Sequence, residues 1–221
     1  MIPITWPFTV WGSIWLGLSR RHPGGYTHLL VTIDKFTKWI EARSISVIKF
    51  EQAVLFFLDI IHRFGVPNSI ITDNGTQFIG RKFIRFYDEQ HIRIDWAVVA
   101  HPWMNGQVER ANGMLLQGLK PRIFNRLNKF GARWVAELPA VLWSLRTTPS
   151  RATGYMPFFM VYGSKAVLPT DLDYGAPRIK AYDEQGAKAS HEDAMDQLDE
   201  ARDVTLLCST KYQQALQWYH N

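Results

Sequence analysis

Two carboxylates stand out by their placement in this chain of 221 residues. Asp73 follows the apolar run Ser69 to Thr72 and opens the turn Asp73-Asn74-Gly75; Glu109 follows the loop His101 to Gly106 and opens a helical stretch, with 35 residues between the two acids. Open α/β sheets carry their chemistry just beyond the ends of strands, and carboxylate oxygens are the hard ligands that Mg²⁺ prefers. Each acid taken alone has a plainer reading, because Asp-Asn-Gly is a common turn and a glutamate near a helix start is usually solvated. The case for chemistry therefore rests on the elements around them.

Thr27 to Ile33 is a β-branched run, and Trp39 to Ile48 alternates as its hairpin partner across Asp34 to Lys38. Phe50, Val54, Phe57, Leu58 and Ile61 mark a helical face ended by Gly65 and Pro67. Ser69 to Thr72 reads as a short buried strand, Arg81 to His91 as a helix and Ile92 to Val99 as a strand. A long helical stretch runs from Gln107 to about Arg126, kinked or divided at Pro121, and an apolar helix covers Trp134 to Leu145. A connecting segment leads to Val161-Tyr-Gly163, and Ser190 to about Tyr219 is a charged helix with Ala194, Leu198, Ala201, Val204, Leu207, Tyr212 and Leu216 near one side. This order predicts an α/β fold with a mixed five-stranded sheet flanked by helices. The expected divisions are a core over residues 1–165, a linker over 166–189 and a helical segment over 190–221.

Charge divides along the same line. The net charge of +5 is the sum of +10 over residues 1–165 and −5 over 166–221, and a basic body suits a polyanionic partner. Arg110, Lys120, Arg122, Arg126, Lys129 and Arg133 form a candidate phosphate track, although such a series also reads as a solvated face. Of Trp96, Trp103, Trp134 and Trp143, only loop-borne Trp103 favours base stacking over burial. One cysteine, Cys208, excludes an internal disulfide framework and any cysteine-rich zinc site within the monomer. No apolar run approaches the length of a membrane span and no signal sequence opens the chain, so a soluble, unsecreted protein is expected.

Ile71-Thr-Asp-Asn-Gly-Thr-Gln-Phe78 together with His101-Pro-Trp-Met-Asn-Gly-Gln-Val-Glu-Arg-Ala-Asn112 closely resembles the integrase catalytic core of gypsy-type long-terminal-repeat retrotransposons. The resemblance runs from about Trp6 to the C-terminus. It implies a ribonuclease H-like fold, a triad of acids in which 35 residues separate the last two, and two bound Mg²⁺ or Mn²⁺ ions that activate the attacking oxygen and stabilise the leaving oxygen of a phosphodiester. By the resemblance Asp73 and Glu109 are catalytic and metal-binding, and Asn74 and Gln107 surround the metal site or contact DNA; Arg110, Lys120 and Arg122 of the basic series are the further nucleic-acid contacts expected from charge. It also implies element-end and target DNA as partners, a homo-oligomer and a nuclear site of action, with no membrane and no small-molecule substrate. The zinc module and small C-terminal barrel that accompany the family are not in this sequence, which reads as a central portion of a polyprotein.

The first acid of the triad is missing. The family carries it on the strand before Thr27 to Ile33, in a segment like Trp-Gly-Ile-Asp-Leu-Val-Gly-Pro, and Trp11-Gly12-Ser13-Ile14 puts isoleucine at its position. Ser13 to Pro23 departs from the family while both flanks follow it. Codons that encode this segment, read one base out of frame, give Ile-Asp-Leu-Val-Gly-Pro-Phe-Glu-Lys-Ala-Pro, so a reading-frame slip is the expected cause. Three functions follow: a degenerate integrase core, a nucleic-acid-binding or oligomerisation module without chemistry, and a metal-dependent nuclease that uses Asp34 as the third acid.

Overall fold

The structure is a computed structural model that describes residues 6–17, 24–72, 80–96, 133–173 and 193–208, with residues 121, 123, 125–127, 129 and 211 between and beyond them. Five strands form one sheet: β1 (Val10–Gly17), β2 (His28–Asp34), β3 (Ile40–Ile45), β4 (Ser69–Thr72) and β5 (Arg93–Trp96), in the order β3-β2-β1-β4-β5. The first three are antiparallel neighbours, whereas β4 runs parallel to both β1 and β5. Helices α1 (Phe50–Phe64) and α2 (Arg81–Glu89) make the crossovers, followed by α3 (Trp134–Thr147), α4 (Pro157–Tyr162) and α5 (Pro169–Asp173). Residues 193–208 form a further helix, and no helix among the described residues is long and apolar enough to cross a membrane.

β1 is central and is covered on both sides, which is why its sequence is nearly continuous in apolar residues. Successive side chains alternate between faces. Trp11 and Trp15 join Leu30, Phe56, Phe57, Ile60, Phe83 and Tyr87 beneath α1 and α2, while Ile14 and Leu16 join Leu29, Val31 and Ile33 against Ile123, Leu127, Trp134 and Leu138. The strand and helix expectations hold over the described residues 27–96 with shifts of a few residues at their ends, and residues 97–99 of the expected Ile92 to Val99 strand lie outside the described residues. The face of α1 is turned from the expected one: Ala53, Phe56, Phe57 and Ile60 are its buried residues, and Val54, Leu58 and Ile61 stand at the margin.

A charged cluster fastens three elements. The Trp39 indole donates to Glu41 Oε1 at 2.7 Å, and Arg63 of α1 and Arg146 of α3 pair with the same oxygen at 3.0 and 2.9 Å. Arg146 also donates twice to the Ile40 carbonyl, at 3.0 and 2.8 Å, and its guanidinium lies 4.4 Å over the Trp39 ring. Glu41 is thus a buried carboxylate with its charge met, the condition under which such burial is tolerated.

Candidate catalytic edge of the sheet

The parallel pair β1/β4 is in register from Val10↔Ser69 to Ser13↔Thr72. Both strands therefore run toward one edge, at which β4 hands the chain to Asp73 and β1 continues through Ile14. Ile14 is the next β1 residue past that last pair; it is 8% exposed, lies opposite Val31 of β2 and belongs to the face packed against Ile123 and Leu127. Of the described helical residues 121, 123 and 125–127, Ile123 and Leu127 pack on the Ile14 face. Asp73, Asn74, Gln107, Glu109, Arg110, Lys120 and Arg122, together with Trp103, lie outside the described residues.

Of the three expected donor positions only that of Ile14 lies among the described residues. An isoleucine offers no lone pair where the resemblance requires a bridging carboxylate, and the described residues contain no group of three or more His, Cys, Asp or Glu side chains able to hold a metal. Apolar contacts with the neighbouring strand and helices fill that position instead.

Asp34 does not replace the missing acid. It pairs with Trp11 and so projects on the α1 face, opposite to Ile14, and the two positions are three residue steps apart along the strands, roughly 10 Å at 3.3 Å per residue. Its carboxylate is fully buried and its acceptors are committed: Oδ1 takes the Phe8 N–H at 3.0 Å, and Oδ2 takes the N–H and the hydroxyl of Thr37, both at 2.7 Å. Burial raises its pKa to about 6, while the Thr37 hydrogen bonds pull the other way. The side chain is a clip for the β2–β3 turn. Replacing it with asparagine leaves one carbonyl oxygen for three donors, so Asp34→Asn should lower stability by about 2 kcal/mol, read by urea denaturation.

The same turn holds two lysines that sequence reasoning passed over. Lys35 is buried with its Nζ lacking a hydrogen-bond partner, and burial lowers its pKa to about 7, with neighbouring Lys38 adding to the effect. The Lys38 ammonium donates to the Lys35 carbonyl and is held near 8, lowered by burial and supported by Asp34. An apolar segment on either side of Asp-Lys was the signal available, since it predicts a turn packed beneath the core.

Of the track beyond the catalytic edge, Arg126 and Lys129 line an open cleft of about 320 Å³ with Glu137, Ala140 and Val141, and Arg126 donates to Ser144 Oγ at 3.0 Å. Trp134 is buried, as expected, and Trp96 packs partly against the α1 side of the core. Trp143 departs from expectation: it is 38% exposed and stands edge-on to Phe158.

The family model described as the TnsB C-terminal domain matches residues 60–124. The Gag-Pol polyprotein of avian reticuloendotheliosis virus is 36% identical over 144 residues, which is 64% of this chain and 12% of the polyprotein. This chain thus spans a small part of that relative. Among solved structures, a simian T-cell lymphotropic virus intasome in complex with the PP2A regulatory subunit B56 gamma matches with a TM-score of 0.56 at 20% identity, over 75% of this chain and 58% of that one. The HTLV-2 integrase catalytic core domain in complex with magnesium, in its dimeric form, matches with a TM-score of 0.50 at 23% identity, over 69% of this chain and 94% of that one. The chain is thus similar over part of its length to retroviral Gag-Pol polyproteins, and its fold is that of the retroviral integrase catalytic cores among the solved structures.

Proposed function

We propose that this chain is the core portion of a retrotransposon integrase that keeps the fold and a DNA-binding surface but has lost DNA joining at position 14. The observation that carries this reading is Ile14, buried one step past the Ser13↔Thr72 pair on a strand beside the one that leads into Asp73. In the sequence Asp73 follows Thr72 directly, one position past the Ser13↔Thr72 pair, as Ile14 does on β1. In the intact family, two divalent cations would supply the phosphodiester chemistry. Here an alkyl group stands in place of the carboxylate whose charge would offset their repulsion.

DNA is the partner that the homology and the charge support together. The basic body of residues 1–165 presents Arg126 and Lys129 at the surface, and phosphate neutralisation by such side chains is salt-dependent. Self-association and a nuclear site of action belong to the same reading, the former because the HTLV-2 core it resembles occurs in dimeric and trimeric forms. The test is direct. Purified chain mixed with duplex DNA ends and Mg²⁺ or Mn²⁺ should bind the duplex, lose that binding as salt rises from 50 to 200 mM, by tenfold or more on the order expected for several phosphate contacts, and yield no strand-transfer product. Joining at the rate of an intact integrase would refute the loss. Binding that ignores salt would refute the DNA surface.

A further inference from the structure

A second cleft lies away from the sheet edge, where α4 and the loop before it meet the helix over residues 193–208. Its volume is about 370 Å³, and Tyr155, Met156, Phe159, Lys165, Gln197 and Glu200 are among the side chains that line it. The floor is held by the loop's own bonds. Gly154 N–H donates to the Ser150 carbonyl at 2.8 Å, Ser150 N–H to the Tyr155 carbonyl at 2.9 Å, and Tyr155 N–H to Thr153 Oγ1 at 3.2 Å. Gly154 takes the left-handed turn that this closure needs, with φ 78°. The Tyr155 and Phe159 rings stand 6.1 Å apart at an interplanar angle of 30°, and both pack against the cluster of Phe36, Met160 and Ala201.

The opposite wall is fixed by the helix. Leu198 is buried beside Gly163, the left-handed cap of α4, where a Cβ would stand 3.2 Å from Leu198 Cδ2, and Ala201 is seated on Phe36 and Met160. Gln197 and Glu200 each precede one of these buried residues and are neighbours on the helix surface, so they stand together at the rim, exposed like Lys165.

Each group calls for a partner of definite chemistry. Two rings and a thioether offer a stacking surface to a flat heterocycle. A carboxamide supplies an N–H donor, a carboxylate accepts two neighbouring N–H groups, and an ammonium holds a phosphate. A nucleotide meets all of these demands at once. Among the DNA bases guanine alone carries two adjacent N–H donors on its pairing edge, at N1 and N2, with the O6 acceptor beside them. In a duplex that edge is closed by cytosine, so the cleft suits an unpaired base.

We propose that this cleft binds one unpaired guanine nucleotide, with the base on Tyr155 and Phe159, its N1 and N2 hydrogens on Glu200, O6 on the Gln197 amide and the phosphate on Lys165. The choice of a nucleotide rests on the nucleic-acid reading given above; the site itself needs no metal and no joining chemistry.

Calorimetric titration of the full chain with the four 5′-mononucleotides, with guanosine, with a blunt duplex and with the same duplex ending in an unpaired guanine tests it. The guanine nucleotide should bind roughly tenfold more tightly than the other three, the worth of a charge-assisted hydrogen bond, and Glu200→Gln should erase that preference. Lys165→Met should weaken the guanine nucleotide by about fivefold while leaving guanosine unchanged, and Tyr155→Leu should weaken all four nucleotides. Gln197→Leu, at an exposed position, replaces Tyr155→Leu should the latter lose its circular dichroism, and it too should reduce the guanine preference. An overhang held more tightly than the mononucleotide assigns the cleft to a strand, the reverse to a free nucleotide, and either supports the site. Equal affinity for the four nucleotides, affinities that every variant leaves unchanged, or uptake of free phenylalanine in place of a nucleotide overturns it. Binding of the blunt duplex reports on the basic body alone, so its failure refutes the DNA surface without touching the cleft, and failure of the cleft leaves duplex binding as it was.

Discussion

Ile14→Asp should convert a chain indifferent to divalent cations into one stabilised by them. In the absence of cations the new carboxylate enters a position that is 8% exposed among Val31, Ile123 and Leu127, and an unpartnered charge there lowers stability by a few kcal/mol. Millimolar Mg²⁺ or Mn²⁺ should restore it, because a ligand at a hundred times its dissociation constant adds about 2.7 kcal/mol. For a chain of this size that is a rise in Tm of roughly 5–10 °C, with none in the unsubstituted protein. Strand transfer should then emerge from background in the same variant. Thermal melting with and without cation, followed by a joining assay on duplex ends, checks both; a Tm that does not respond to cation would show that Asp73 and Glu109 do not complete a site with position 14. The control is the fuller replacement Ser13→Ile, Ile14→Asp, Trp15→Leu and Leu16→Val, which also returns the neighbouring core positions to the side chains of the alternative frame.

The second large effect concerns Lys35. Its amine is held near pH 7 in the fold against 10.5 for an ordinary lysine, so the unfolded chain binds more protons between those values and stability rises with pH through that window. The penalty of burying the ammonium is fully present below pH 7 and gone by about 10.5. Lys38, held near 8, acts in the same direction. Asp34 acts oppositely, since a carboxyl raised to about 6 favours the fold at acid pH and loses that contribution as pH climbs through 6. The three together give a stability minimum between about pH 6 and 7. Lys35→Met should remove much of the rise above that minimum, stabilising the chain by a few kcal/mol at pH 7 and by much less at pH 10. Melting curves from pH 5 to 10 decide the matter, and equal Tm gains at both ends would place the effect in packing instead of charge.

Much of the sheet was legible because its strands carry their burial in their composition. Thr27 to Ile33 and Ser69 to Thr72 are unambiguous as residues, and the crossover helix between hairpin and β4 follows from Phe50 onward. Rotation about a helix axis was not legible. In α1 the choice between a stripe through Val54 and Leu58 and one through Ala53 and Ile60 depends on where the underlying strands put Trp11 and Leu30. The C-terminal helix shows the same limit: Leu198 and Ala201 turn inward as expected, yet Val204 and Leu207 turn out and Thr205 takes the buried place. Pro157 reads as an interruption in the sequence but stands at the first turn of α4, where a missing N–H does no harm. Pro139 is carried within α3, and the expected linker contains α5.

The edge at which β1 and β4 run side by side follows from reading Ser69 to Thr72 as a buried strand, while the motif acids Asp73 and Glu109 lie outside the described residues. Geometry was needed to dismiss Asp34. Nothing in Asp34-Lys-Phe-Thr37 reveals that the carboxylate is occupied by a backbone N–H 26 positions away at Phe8, nor that strand alternation sends it to the far side of the sheet.

Arg146 has a further consequence at the outer boundary of the sheet. β3 is an edge strand, and the Trp39 carbonyl already accepts from Asp34 N–H at 2.8 Å, so the next carbonyl, that of Ile40, faces away from β2. The two donations from Arg146 occupy that oxygen. A foreign strand seeking to extend the sheet there meets a guanidinium instead of a free acceptor, and with Arg43 further along the same strand the border resists edge-to-edge polymerisation. The cluster that holds β3, α1 and α3 together thereby also blocks this border of the sheet against strand addition.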